Sequence, residues 1–278
     1  MKDMVVAAVN MASVPGQTAE NLRNVARWCE LAVAQGAEIV CFPELCLCGY
    51  DTSQQVRAWA DSIPGAATDE TVRIARDLGV TILAGIAERD AQGDLYISHF
   101  VASPFGLSGV YRKVHLGPSE RATFRAGESI PVFKHEKCRF GLQVCYDGHF
   151  PEMSTVQALN GADVIFVAHA TPRETPQEKR DRFARYLGAR AYDNTCYVVA
   201  CNSVGSSRSG RPLAGVALAL DPMGVVMAEA VGWDERMMVA TLDSEDLARV
   251  RNSDMGWFLK DRRPDLYGSI ADSLRILV

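Results

Sequence analysis

Three segments of this 278-residue chain place a chemically capable side chain at the end of an apolar run. C-F-P-E-L at 41–45 delivers Glu44, Y-R-K-V-H-L at 111–116 delivers Lys113, and G-L-Q-V-C-Y-D at 141–147 delivers Cys145. A carboxylate is a base, an ammonium is a fixed positive charge and a thiol is a nucleophile. A cysteine attacking a carbonyl needs a group to take its proton and a cation to hold the oxyanion that forms. Strand ends facing a crevice are where α/β proteins build sites, so the three residues are expected to converge on one catalytic centre. Lys113 and His115 alternate on the predicted strand and so share a face. That leaves a Cys145–His115 dyad as a second arrangement of the same chemistry. Taken singly, a Glu, Lys or Cys is usually structural or solvated; the combination carries the reading.

The elements that must position these residues alternate between strand and helix along the whole chain. Met4 to Val9 is apolar and β-rich. Thr18 to Gln35 carries Leu22, Val25, Cys29, Ala32 and Val33 on one helical stripe, closed by Gly36. Glu38 to Phe42 is a short buried strand that Pro43 ends just before Glu44. A helix over about Asp69 to Leu78 stops at Gly79, and strands follow at Val80 to Ala87, Leu95 to Ala102 and Gly109 to Leu116. The second half repeats the style. Arg139 to Cys145 is a strand, Pro151 begins a helix to about Asn160, Val164 to Ala168 is a strand, and Gln177 to Tyr192 is an Arg-rich helix. Strands are predicted at Thr195 to Cys201, Leu213 to Leu220, Val225 to Ala230 and Met237 to Leu242, with Asp243 or Ser244 capping a last helix near Val250. No linker, short repeat or low-complexity block divides the chain, so one domain over 1–278 is expected, with a C-terminal tail from about 259. Strands joined partly by helices and partly by hairpins mean α/β with stacked layers.

Bulk properties narrow the function classes. A 48% hydrophobic and 23% charged composition is that of an ordinary soluble globular protein. A net charge of −5 argues against a polyanion partner. No apolar run approaches the ~18 residues of a membrane span. The stretch M-V-V-A-A-V lacks the basic start and cleavage site of a signal peptide, so a cytoplasmic location with reduced thiols is expected. Of the eight cysteines, Cys29, Cys41, Cys196 and Cys201 sit in apolar contexts and read as small core residues. Cys41, Cys46 and Cys48 have a C-x4-C-x-C spacing that matches no usual zinc pairing, so no metal site is expected there.

Together the segments resemble the nitrilase superfamily, the carbon–nitrogen hydrolases. The resemblance runs through F-P-E-L at Phe42 to Leu45, Y-R-K-x-H-L at Tyr111 to Leu116 and C-Y-D-x-x-F-P-E at Cys145 to Glu152. It extends to R-A-x-D-N at Arg190 to Asn194, the D-P-x-G turn at Asp221 and R-R-P-D-L-Y at Arg262 to Tyr267. It implies a four-layer α-β-β-α sandwich that commonly pairs across two subunits, and a Glu-Lys-Cys triad working without cofactor. On matching positions Glu44 is then the general base, Lys113 the oxyanion stabiliser and Cys145 the nucleophile. Glu120 fits a second glutamate beside the triad, and the backbone N–H of Tyr146 fits the other oxyanion donor. A neighbouring ammonium is expected to lower the thiol's pKa. The family pattern favours the lysine over the His115 dyad, leaving His115 as a packing or hydrogen-bonding support and Asp147 as a structural acceptor.

The residues after the nucleophile, C-Y-D rather than the C-W-E of true nitrilases, point to the amidase-like branch. The expected activity is cleavage of a small linear carboxamide to an acid and ammonia through a thioester. An N-carbamoyl amidohydrolase and a nitrilase are the alternatives within the class. Gly148 and His149 stand where the N-carbamoyl-D-amino-acid branch places arginines, which weighs against that branch. Arg173 is either a carboxylate anchor or an exposed loop arginine. Tyr50 and His149 are further candidate pocket residues, and the Arg-rich helix reads as a mostly solvated face that is available for a subunit contact. A non-catalytic binding or scaffold protein on the same fold is the alternative of another class. Oxidation of Cys145 as a redox sensor is a third option.

Overall fold

Several strands of this chain are apolar on both faces, and such strands need a packed layer on each side. The computed structural model describes residues 1–172, 174–207 and 210–271, and it meets that need with two six-stranded mixed sheets stacked face to face. The first sheet contains β1 (Met4–Asn10), β2 (Ile39–Cys41), β3 (Thr81–Arg89), β4 (Leu95–Ser103), β5 (Gly106–Arg112) and β14 (Arg236–Leu242), in the order β14-β1-β2-β3-β4-β5. The second contains β6 (Val132–Lys134), β7 (Arg139–Val144), β8 (Val164–His169), β9 (Tyr197–Asn202), β12 (Gly215–Leu220) and β13 (Val226–Gly232), in the order β13-β12-β9-β8-β7-β6. A separate two-residue ladder joins β10 (Gly205–Ser206) to β11 (Pro212–Leu213). Helices α1 (Thr18–Val33) and α2 (Ala66–Leu78) cover the first sheet, and α3 (Pro151–Leu159) and α4 (Pro176–Asn194) cover the second. Two short helices, α5 (Ser244–Arg251) and α6 (Gly268–Ala271), follow the last strand. The expected four-layer sandwich is the fold.

Strand parity shows how one residue pattern serves two interfaces. Val164 and Phe166 of β8, Tyr197, Val199 and Cys201 of β9, and Ala217 and Ala219 of β12 join the core between the sheets. The alternate residues Ile165, Val167, Val198, Ala200, Val216, Leu218 and Leu220 instead pack with Phe183, Leu187 and Ala191 of α4. The sheets meet closely enough that the sulfurs of Cys41 on β2 and Cys201 on β9 lie 3.9 Å apart.

In each sheet three central strands run parallel, β1-β2-β3 in the first and β7-β8-β9 in the second. Parallel strands end at one edge, and there the chain leaves β2 into Glu44, β7 into Cys145 and β8 into Ala170. One strand expectation needs correction: β5 ends at Arg112 rather than continuing to Leu116, so Lys113 and His115 do not alternate on a strand. Bends follow instead, and the two side chains take different partners. No helix among the described residues is long and apolar enough to cross a membrane.

Asp243 caps α5, its side chain accepting from the N–H groups of Glu245 at 2.7 Å and Asp246 at 3.3 Å. Asp243→Ala is expected to lower the unfolding free energy by about 1 kcal/mol, read as a lower urea midpoint at unchanged slope. An unchanged midpoint would remove the cap from the account.

Candidate active site

Glu44 sits in a tight turn laid across β3. Leu45, next to it, adopts a left-handed backbone with φ 54°, and Gly49 N–H closes the turn on the Leu45 carbonyl at 2.8 Å. Gly85 of β3 makes room for it, since a Cβ there would stand 2.6 Å from the Leu45 nitrogen. The sulfurs of Cys46 and Cys48 accept the N–H groups of Gly85 and Ala87, each at 3.3 Å, so these thiols pin the turn to the sheet. Glu44 is thereby presented from a rigid, buried backbone.

Lys113 is fully buried, and its Nζ donates to Glu44 Oε1 and to Glu120 Oε1, both at 2.7 Å. Glu120 is fixed in turn: its Oε2 accepts the Gly117 N–H at 2.6 Å, and the Tyr50 hydroxyl reaches Oε1 at 3.3 Å. One ammonium therefore sits between two carboxylates in a dry interior. Glu44 Oε2 is buried without a full hydrogen-bond partner, and the Cys145 thiol is the group whose hydrogen bonding reaches this carboxylate.

Cys145 opens a short 3-10 turn, Cys145–His149, at the end of β7, and its φ of 51° is unusual for a residue with a Cβ. Asp147 holds that conformation. Its Oδ2 accepts the Val144 N–H at 2.9 Å and the Tyr111 hydroxyl at 2.6 Å, and its Oδ1 accepts the His115 N–H at 2.9 Å. The His115 ring also places Nδ1 3.0 Å from Oδ1 and stacks on Phe150 with centroids 3.7 Å apart. Asp147 thus joins the segment carrying Lys113 to the turn carrying Cys145. His115 serves Asp147, as the support reading expected, and not a Cys-His dyad. At the neighbouring end of β8, the Ala170 N–H donates to the Cys145 sulfur.

Electrostatics qualify one expectation. Burial pushes the Cys145 thiol up, the charges of Glu44 and Glu120 push it further, and Lys113 and the Ala170 amide only partly oppose them. Lys113 does lower the thiol, as expected, but burial and the two carboxylates outweigh it, so the resting sulfur stays protonated. Burial also raises Glu44 from 4.5 to about 7, with Lys113 pulling it back and Glu120 reinforcing the rise. Burial alone would lower Lys113, but Glu44, Cys145 and Glu120 outweigh it and hold the ammonium well above its ordinary value. Tyr50 is pushed up by burial and by the charges of Glu44 and Glu120, and stays a neutral donor.

The structure brings Glu44, Lys113, Glu120, Tyr50 and Cys145 together. Tyr146 is half-buried, its ring edge-on to Phe150 at 5.4 Å. His149 is exposed and stacks on Tyr186 of α4 at 4.7 Å. Arg173 lies outside the described residues. The Arg-rich helix is not simply solvated: Lys179, Phe183, Leu187 and Ala191 form its buried face. Their four-residue spacing was the available signal that Lys179 belongs to the interior.

A carbon-nitrogen hydrolase family model matches residues 5–252. An (R)-stereoselective amidase from Pseudomonas sp is 34% identical over 266 residues, covering 95% of this chain and 93% of the relative. A nitrilase from Pyrococcus abyssi is 37% identical over 241 residues, covering 85% and 88%. The solved amidase of Nesterenkonia sp. AN1 superposes with a TM-score of 0.84 at 27% identity, covering 96% of this chain and 99% of that one. Forms of that amidase include one in complex with butyramide and one with the acetamide moiety of fluoroacetamide added covalently at the active site cysteine.

Two stability measurements test the cluster. Lys113→Met leaves two buried carboxylates facing one another and is expected to lower stability by about 3 kcal/mol near neutral pH. A loss under half of that would mean the ammonium is not holding them. The Glu44 shift has a definite sign. Its folded-state value lies above the unfolded one, so the folded chain keeps a proton that the unfolded chain releases. Glu44 therefore contributes against the fold increasingly as pH rises from 4.5 to about 7. Glu44→Gln should remove that slope, and parallel stability curves for parent and variant over this window would contradict it.

Proposed function

The chain belongs to the carbon–nitrogen hydrolase family, and from that premise we propose that it is an amidase that cleaves small linear carboxamides through a thioester on Cys145. The observation that carries this reading is Lys113, held at 2.7 Å from both Glu44 and Glu120, with the Cys145 thiol in hydrogen-bonding reach of the Glu44 carboxyl group. A thiol that rests protonated needs its base in place before attack, and Glu44, raised to about 7, has the right proton affinity near neutral pH.

In the proposed cycle, Cys145 Sγ attacks the amide carbonyl carbon while its proton passes to Glu44. The carbonyl oxygen becomes an oxyanion held by Lys113 Nζ and the backbone N–H of Tyr146. One such donor typically contributes about 10²–10³ in rate. Collapse of the tetrahedral species breaks the C–N bond, and Glu44 returns its proton to the leaving ammonia. Water then attacks the thioester, Glu44 taking its proton, and the second tetrahedral species breaks its C–S bond to release the acid while Glu44 returns that proton to the sulfur. Glu120 acts by positioning Lys113, and Tyr50 by orienting Glu120. Every proton transfer is handled by Glu44, and the oxyanion by Lys113 and one backbone N–H.

The same reading treats residues 1–278 as one catalytic unit with a C-terminal tail from about 259, in the cytoplasm. It also treats the functional form as a homodimer or larger homo-oligomer. Leu159 of α3 and Leu266 and Ile270 near the chain's end are large exposed hydrophobic residues, as expected of a subunit contact. The similarity to the Pyrococcus abyssi nitrilase keeps nitrile hydrolysis as a second reading.

Ammonia release over aliphatic amides, ω-amides of dicarboxylic acids, ureido compounds and nitriles separates these readings. Amides should be turned over, and Cys145→Ala should lose about 10⁴-fold or more. Ammonia from nitriles alone would replace the amidase reading, and silence on every compound would contradict an enzymatic one. For a turned-over amide, kcat/KM should rise with pH through about 7 as Glu44 ionises, and a flat profile there would remove Glu44 as the base.

A further inference from the structure

Lys179 is a fully buried lysine that the catalytic cycle does not use. It lies in the first turn of α4, directly over the segment leaving β8. Its Nζ donates to the Thr171 carbonyl and, at 2.8 Å, to Thr171 Oγ1, with Glu174 Oε2 3.5 Å away. Asn202, at the end of β9, grips Thr171 from the other side, its Oδ1 accepting the Thr171 N–H at 2.8 Å. Thr171 therefore has its N–H, carbonyl and hydroxyl all engaged by buried side chains. The preceding residue is Ala170, whose N–H donates to the Cys145 sulfur.

Resting on the amidase reading of the site, we propose that Lys179 is a positioning residue for the nucleophile: it anchors Thr171 so that the Ala170 amide points at the sulfur, and its buried charge favours the thiolate that forms during attack. The charged and titratable groups around Lys179 are Glu174, Arg182, His169 and Cys145. Arg182 binds Glu174 through two bonds of 2.7 Å, so the Lys179–Glu174–Arg182 group carries one excess positive charge. The ionised forms of Glu44, Glu120 and Lys113 leave one excess negative charge near the sulfur. A thiolate added to that negative cluster is resisted, and the positive charge of Lys179 offsets part of the resistance. Burial lowers Lys179 to about 8, with Glu174 opposing the change, so the ammonium still predominates at neutral pH.

A purely structural lysine and an electrostatic one respond differently when the neighbouring charge is altered. The rate of Cys145 alkylation by iodoacetamide, a neutral probe, should be followed by peptide mass spectrometry across the neutral range in the parent, Lys179→Met and Glu174→Gln. Near-ultraviolet circular dichroism checks that each variant is folded. Lys179→Met should slow alkylation at pH 7 by about threefold or more, equivalent to half a unit in the thiol's apparent ionisation. Glu174→Gln should accelerate it at the acid end of that range, where Lys179 keeps its proton without its counter-charge. Any other pattern, including no change in Lys179→Met or shifts of the same sign in both, would overturn the proposal. If Lys179→Met does not fold, Glu174→Gln decides alone, and an unchanged or slower rate there is the contradicting result. Ammonia release from an amide panel, measured beside it, keeps the two ideas apart: a parent that alkylates in this order but turns over no amide contradicts the amidase reading alone.

Discussion

One ammonium shared by two buried carboxylates governs the chemistry of this molecule. Two carboxylates in a dry interior repel each other and resist ionisation, and Lys113 relieves this by donating to both at 2.7 Å. Lys113 shared in this way only partly offsets the burial and negative charge that keep the sulfur protonated. The resting site is then a protonated thiol beside a base of raised proton affinity. In the proposed cycle, attack, proton transfer and oxyanion capture are then coupled events, triggered by a carbonyl entering the site. A cysteine that stays neutral until substrate arrives is also protected from indiscriminate reaction.

The second constraint is mechanical. Glu44, Lys113 and Cys145 come from both sheets, and their alignment depends on ties between segments remote in sequence. Asp147 is the main tie, with Tyr111 and His115 on one side and Val144 on the other. It holds Cys145 at a φ of 51°, a conformation that β7 alone would not supply. Gly85 performs the matching task for Glu44 by letting the Leu45 turn rest on the sheet. The parallel centres of the two sheets place the ends, and these local devices aim the side chains.

Much of this was legible in the residues. Glu44 and Cys145 end apolar runs that become parallel strands, and Glu120 fell beside the triad as its motif implied. What was not legible depends on distance and burial. The face shared by Lys113 and His115 failed because β5 stops at Arg112, after which Tyr111 and His115 both turn to Asp147, a partner more than thirty residues away. The ammonium's downward pull on the thiol is present as expected, but the burial that outweighs it is a property of the packed fold and was not legible. Lys179 was hidden by its neighbours. Arginines at 180, 182, 185 and 190 make the helix look solvated, although Lys179 shares its face with Phe183 and Leu187.

The most direct test of the central claim is an ultraviolet thiolate difference titration of the parent against Cys145→Ala in the absence of substrate. The account predicts no thiolate step from Cys145 across the neutral range, because the sulfur remains protonated beside Glu44. A clear step below pH 7 would contradict it, showing that Lys113 serves the sulfur and not the two carboxylates.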